Sequence, residues 1–167
     1  MARVPSVLIS REAILEMAHS AVDPFRKECL GYILGLKPNS TRPYYFVKAA
    51  CQVVTVDERS NLGVVQNQRS YNRVCEALRS FPRGFSCIGD FHSHAKWMNE
   101  DWRNAHFLRP SAGDEKDILE SFGKLGIIVA IFSRKKPEKV HWRTLGDGTL
   151  RGSLGRFRFC FRAYWSG

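Results

Sequence analysis

At 167 residues and 44% hydrophobic content, the chain can bury one good core but is too short for two ordinary domains, so a single domain over 1–167 is expected. No apolar run approaches the ~20 residues that span a bilayer, and the start M-A-R-V-P-S-V-L-I-S makes a poor signal peptide, so membrane insertion is not expected and the cytoplasm is the default. The net charge of +10 favours acidic partners. It is unevenly placed, with nine Lys or Arg against Glu138 and Asp147 between Arg134 and Arg162.

In chain order, Val4 to Ile9 reads as a first strand. Ser10 is a good N-cap for a helix carrying Ile14, Met17, Ala18, Ala21 and Val22 at helical spacing, stopped by Asp23-Pro24. Glu28 to Leu36 reads as a strand with two glycines, and Tyr44 to Val56 as a longer one rich in aromatic and β-branched residues. The polar segment Asp57 to Gln68 predicts a long loop. A second helix follows with Tyr71, Val74, Cys75, Leu78 and Phe81 inward, and Pro82-Arg83-Gly84 stops it.

Phe85 to His94 is a strand, and a third helix begins at Ser111. Leu125 to Ser133 is apolar enough for a strand covered on both faces. Lys139 to Leu145 and Arg156 to Trp165 complete the set, joined through Gly-Asp-Gly. In the last strand Phe157, Phe159 and Phe161 alternate with Arg156, Arg158, Cys160 and Arg162, which predicts a basic outer face. The pattern predicts an α/β domain with three helices and about seven strands. Five cysteines at 29, 51, 75, 87 and 160 form no C-x-x-C pair; those at 29, 51, 87 and 160 read as buried hydrophobes in a reducing compartment.

Chemistry concentrates between Ile88 and Ile118. In I-G-D-F-H-S-H, His92 and His94 share one strand face about 6.5–7 Å apart, close enough to turn toward one metal with Zn–N bonds of about 2.0–2.1 Å. Ser93 points the other way. Alone, H-x-H is weak evidence, since most such pairs are ordinary surface or core histidines. Ser111-Ala112-Gly113-Asp114 is also fully accounted for as a capping-box-like helix start. The two roles are compatible, because a helix N-terminus can deliver a carboxylate and a hydroxyl to a strand end. Asp90 is a rival third ligand on the strand face of the histidines, which would make a 2-His-1-carboxylate group. An extended strand disfavours it, because Asp90 would stand some 13 Å from His94.

Together with Glu28 in E-C-L-G-Y-I-L-G, the set E…H-S-H…S-x-x-D resembles the JAMM (MPN-plus) zinc metalloproteases, and the resemblance covers nearly the whole chain. It implies a cytidine-deaminase-like MPN fold, with a mixed central sheet of about seven strands flanked by three helices. It implies one Zn2+ per chain held by His92, His94 and Asp114, with water in the fourth position. Glu28 would take the proton of that water and return it to the leaving amine, and Ser111 would hydrogen-bond the water or the oxyanion. The implied activity is an isopeptidase or peptidase cleaving after the Gly-Gly tail of a ubiquitin-like modifier or sulfur-carrier protein, an acidic one by charge.

The sequence departs from the family at Ala95, where proline is usual, at Asp90, where an aromatic is common, and in the interval from His94 to Ser111. The sixteen residues 95–110 make that interval longer than the family's. This insertion holds Trp97, Met98, Trp102 and Phe107. Trp97 and Trp102 are candidate substrate-binding residues on a flap, the alternative being local packing. A catalytically latent MPN scaffold that needs a partner is the second functional expectation. A basic nucleic-acid module is the third, disfavoured because the alternation separates the phenylalanines from the arginines. Oligomeric state is left open.

Overall fold

The computed structural model describes residues 6–60, 63–81, 85–96, 105–120 and 124–165, with backbone alone at 95–96, 105–106 and 117–120. Strands dominate. A six-stranded sheet has the order β1-β3-β2-β6-β7-β8, built from β1 (Ser6–Ile9), β2 (Leu30–Leu36), β3 (Tyr44–Gln52), β6 (Ser86–Lys96), β7 (Leu125–Thr144) and β8 (Leu150–Trp165). A separate hairpin joins β4 (Val56–Arg59) to β5 (Val64–Gln66). The β1–β3 and β6–β7 pairs are parallel, and the other pairs of the large sheet are antiparallel.

The sheet curls until it is nearly a closed barrel. Tyr45 of β3 hydrogen-bonds Trp165 of β8, although a flat sheet would hold those strands about 19 Å apart at ~4.8 Å per step. The far half of the β7–β8 hairpin also folds inward. Trp142 there meets Phe159 and Phe161 with ring centroids 6.0 and 5.8 Å apart. Register breaks between Ser133 and His141 let β7 bend, and Pro137 lies among them, where no ladder hydrogen bond is asked of it.

Inside the curl lies the main core, made by Ile33, Val47, Ile88, Phe91, Ile127, Val129, Ile131, Phe159 and Phe161 with one helix, α1 (Arg11–Val22). Ser10 caps α1 by accepting the Ala13 N–H, and its own hydroxyl donates to the Lys48 carbonyl at 2.8 Å. Ala13, Met17, Ala18 and Ala21 face inward without exposure. Glu16 reaches β3, where a carboxylate oxygen accepts the Ala50 N–H at 2.6 Å beyond the end of β1.

The expected α/β fold, a sheet flanked by three helices in the MPN manner, is therefore overturned. Helix α2 (Gln68–Arg79) buries no residue: Tyr71, Val74, Cys75 and Leu78 are half-buried, and Phe81, beyond its end, is exposed and meets Phe85. α3 (Ala112–Glu120) is short, and the side chains of Ile118 and Leu119 and the whole of Phe122 lie outside the described residues. A barrel-like sheet buries its apolar face against itself, so it needs few helices to cover it.

Other expectations shift too. Residues 57–68 hold the β4–β5 hairpin rather than a long loop, Tyr44 to Val56 divides at Gln52, and Glu28 precedes β2. Leu125 to Thr144 is one continuous strand. All five cysteines are free; Cys29 and Cys160 are buried, but Cys51 is exposed at the sheet's margin.

Gly152 lies under the Trp142 ring, where an added Cβ would come within 2.0 Å of a ring carbon and 2.5 Å of the His141 carbonyl. Gly152→Ala should therefore cost about 1–3 kcal/mol by overpacking. A lower urea midpoint with unchanged slope is the expected result, and an unshifted midpoint would mean that the Trp142 contact does not hold the curl.

Candidate metal centre

From Leu125 to Phe132, β7 is buried on both faces. Leu125, Ile127, Val129 and Ile131 enter the main core, while Ile128, Ala130 and Phe132 form a second small core with Leu108 and Cys160. His92 and His94 of β6 stand opposite Ile128 and Ala130 and share this second face. A 3-10 turn at Ala105–Leu108 covers it. Phe107 packs edge-on to Phe132 at 5.9 Å, and the Tyr164 hydroxyl donates to the Leu108 carbonyl. The end of the insertion thus packs down locally, whereas Trp97, Met98 and Trp102 lie outside the described residues.

The imidazoles and one carboxylate converge. His92 Nε2 and His94 Nε2 are 3.1 Å apart, His92 Nε2 is 3.3 Å from Asp114 Oδ1, and His94 Nε2 is 3.8 Å from Asp114 Oδ2. A tetrahedral ion with bonds of about 2.0–2.1 Å separates its donors by about 3.3 Å; the His92–His94 and His92–Oδ1 distances match that spacing, and His94 meets the other carboxylate oxygen at 3.8 Å. The His92–His94–Asp114 group could hold a metal ion, each residue offering one donor atom within 4.8 Å of the others. Asp90 is not part of this group. It stands beside Tyr32, on the far side of His92 from His94.

Outer contacts orient the donors. His94 Nδ1 lies 2.9 Å from the Phe107 carbonyl, a partner that requires Nδ1 to carry the proton and leaves the Nε2 lone pair for a metal. The Ser111 N–H donates to Asp114 Oδ2 at 2.6 Å, and the Asp114 N–H donates to Ser111 Oγ at 3.2 Å. That reciprocal pair is a helix cap that also aims Oδ1 at His92. The Ser111 side chain also hydrogen-bonds the Asp114 carboxylate.

Glu28 is positioned by a latch that was not anticipated from the sequence. The Ser93 N–H donates to the Cys29 carbonyl at 3.0 Å, and the Cys29 N–H donates to the Ser93 hydroxyl at 2.9 Å. Ser93 is fully buried. Leu30 pairs with His92, so the antiparallel register continues through Cys29–Ser93 and brings Glu28 level with His94, on the imidazole face. The Glu28 charge acts on His92 accordingly. Alternation does send Ser93 inward, and a buried hydroxyl needs a partner; what the sequence does not say is that the partner is the residue after Glu28. Ser93→Ala should leave the Cys29 N–H unsatisfied and cost about 1–3 kcal/mol in chemical denaturation, and a loss well below that range would mean that the bond is dispensable.

Burial lowers the His92 pKa, but the Asp114 hydrogen bond and charge, with Glu28 and Asp90 beyond, turn the net shift upward. Burial likewise raises Asp114, yet His92 and the Ser111 N–H hold it well below the usual carboxylate range. Without metal, the pair stabilises the fold fully between the ordinary carboxylate value of 3.8 and the ordinary imidazole value of 6.5. Below that window stability is lost as pH falls toward the lowered Asp114 value, and it is lost again as pH rises through the raised His92 value. Metal needs neutral imidazoles and reverses the upper slope. Zinc should therefore raise the melting temperature more at about pH 8 than at about pH 5 relative to chelator-treated protein, with about one ion per chain by elemental analysis. Equal shifts at both values would place the zinc elsewhere.

No family model matches the chain, and no curated protein matches it. Among solved structures it is similar in fold to a solution structure of a protein from Desulfitobacterium hafniense. The two are 18% identical, with a TM-score of 0.50, over 88% of this chain and 89% of that one. This likeness concerns the fold alone.

Proposed function

We propose that this protein is a zinc-dependent isopeptidase or peptidase that hydrolyses the bond after the Gly-Gly tail of a ubiquitin-like modifier or sulfur-carrier protein. The observation that carries the proposal is the meeting of two imidazole nitrogens and a carboxylate at tetrahedral spacing, with Glu28 latched to the same sheet face. A set of two nitrogens and one oxygen suits zinc and leaves a coordination position open. Zinc bound there would supply Lewis acidity and a water acidified toward pKa ~7.

The remaining steps belong to the chain. Glu28 accepts the proton of the attacking water and passes it to the departing amine, so its own charge is restored after each turnover. Ser111 donates its hydroxyl hydrogen toward the oxygen that gains charge. Phe107 holds His94 in the competent tautomer through the Nδ1 contact.

Support for the substrate class comes from the motif and from the strand geometry. The set Glu28, His92-Ser93-His94 and Ser111-x-x-Asp114 resembles the JAMM proteases in residue types and order, while the barrel-like sheet does not follow their helix-flanked layout. β6 runs beyond β2 to Lys96, with β7 on one side and, among the described residues, no strand on the other. An extended Gly-Gly tail would add there as a strand, read through its backbone. No helix among the described residues is long and apolar enough to cross a membrane. Phe159 and Phe161 are core residues, which removes the stacking surface that a nucleic-acid reading would need.

Glu28→Gln should keep its zinc yet lower cleavage of a Gly-Gly-linked fusion by about 10²–10⁴-fold, measured as single-turnover hydrolysis. Undiminished cleavage would remove Glu28 from the mechanism. Absence of cleavage by the zinc-loaded wild type, across the host's ubiquitin-like proteins, would remove the substrate class.

A further inference from the structure

Beyond the metal centre, β7 and β8 build a second concentration of charge. His141, Arg143, Arg151, Gly152 and Arg158 line a pocket of about 250 Å³. Arg143 stands directly opposite Arg151 across the β7–β8 ladder, and His141 stands opposite Ser153. Like charges paired across strands repel one another. The apolar contact of this hairpin comes from the neighbouring Trp142 and Gly152.

The nearby carboxylates are already engaged. Glu138 accepts two hydrogen bonds from Arg158, at 2.9 and 2.6 Å, and also pairs with Arg134. Asp147 pairs with Arg162 at 2.5 Å. Five arginines therefore face two carboxylates at this end of the molecule; Asp147 is shared by Arg162 and the charge of Arg151, whose side chain also hydrogen-bonds Cys160, and Arg143 stands opposite it. The imidazole beside them is fixed as well. His141 Nδ1 lies 3.0 Å from the hydroxyl of Ser153, a buried residue that donates to the Lys139 carbonyl. That network uses Nδ1 and does not engage Nε2.

We propose that this pocket is an oxyanion site that takes a phosphoryl group, with Arg143 and Arg151 as its principal ligands and His141 beside them. A carboxylate carries one charge and is saturated by two guanidiniums, as Glu138 is by Arg134 and Arg158. A phosphoryl group carries up to two charges and three strong acceptor oxygens, and planar guanidiniums bind it in bidentate fashion. Bound between Arg143 and Arg151, it converts their repulsion into two attractions. The pocket holds a group of that size together with water. Arg158 lies in the Lys96–Phe132 row of the sheet, two strands from β6 and thus about 10 Å from it. The site is therefore separate from the metal centre, and it stands whether or not the hydrolase proposal does.

The phosphoryl group could be free phosphate or an ester on a small molecule. Titration calorimetry of the full chain with inorganic phosphate, and in parallel with ribose 5-phosphate, at constant ionic strength distinguishes the two. Saturable binding is expected, weakened about tenfold or more by Arg143→Gln and by Arg151→Gln and unchanged by Arg69→Gln on the exposed face of α2. Arg143 is exposed, so its substitution leaves the fold intact. Tighter binding of the ester than of phosphate, lost in the same variants, assigns the site to an ester; equal binding assigns it to the free ion. No saturable binding of either, or binding that survives both pocket substitutions, overturns the proposal.

Discussion

The two hydrogen bonds between Cys29 and Ser93 are the constraint on which the candidate chemistry depends. They lie one residue beyond the last β2–β6 pair, Leu30–His92, and one of them uses a side chain where an ordinary rung would use backbone. Because Ser93 is buried, its hydroxyl has no water to turn to, and breaking the bond would strand a donor and an acceptor together. The chain on either side of this rung carries the reactive groups: Glu28 precedes Cys29, and His92 and His94 flank Ser93. Strand alternation then does the sorting. The latch pair faces the main core, and the carboxylate and imidazoles face the small core under the 3-10 turn.

The barrel-like curl matters for the same reason. A sheet that buries one face against itself leaves its other face uncovered by helices, and a short segment is enough to close part of it. Here that segment is Ala105–Leu108, anchored by Phe107 on Phe132 and by the Tyr164 hydroxyl on Leu108. One carbonyl of this segment fixes the His94 tautomer. The residues immediately following it cap α3 and deliver Asp114. A stretch that in sequence looks like an aromatic insertion is therefore, at its C-terminal end, the scaffold that carries the third donor to the other two.

How much of this was legible in the sequence differs by scale. Residue chemistry at short range was readable: Ser10 caps α1, Ser111 and Asp114 form a reciprocal cap, and His92 and His94 share a face, because each follows from local spacing. Burial of β7 on both faces was readable from Leu125 to Ser133 for the same reason. Assembly was not readable. Leu125 to Ser133 and Lys139 to Leu145 read as two strands, but bulges absorb Pro137 between them and one strand continues to Thr144. The apolar stripe of α2 looked like a core face, yet the curled sheet had already satisfied its own core and left that helix half-buried. The basic face of the last strand also proved divided, with Cys160 in the small core and Arg158 held by Glu138. Local periodicity reports which side of an element is apolar and is silent on what covers it.

That division explains how an expected layout can fail while the residues attached to it still meet. A metal group needs three donor atoms within about 3–4 Å and little else from the fold. Two same-face histidines on one strand supply two of the three by themselves. A helix N-terminus arriving over the same face meets the rest, whichever helices do or do not pack behind the sheet. With the His94 proton on Nδ1 for Phe107, His94 Nε2 offers a lone pair, and the 3.1 Å approach of His92 Nε2 requires that nitrogen to carry a hydrogen when no metal is bound. Either a proton or a cation must lie between them. With Asp114 against His92, and the charges of Glu28 and Asp90 raising the same ring, the surrounding field attracts positive charge to that point. A divalent ion satisfies both lone pairs and the carboxylate at once, whereas a proton can satisfy only one contact at a time.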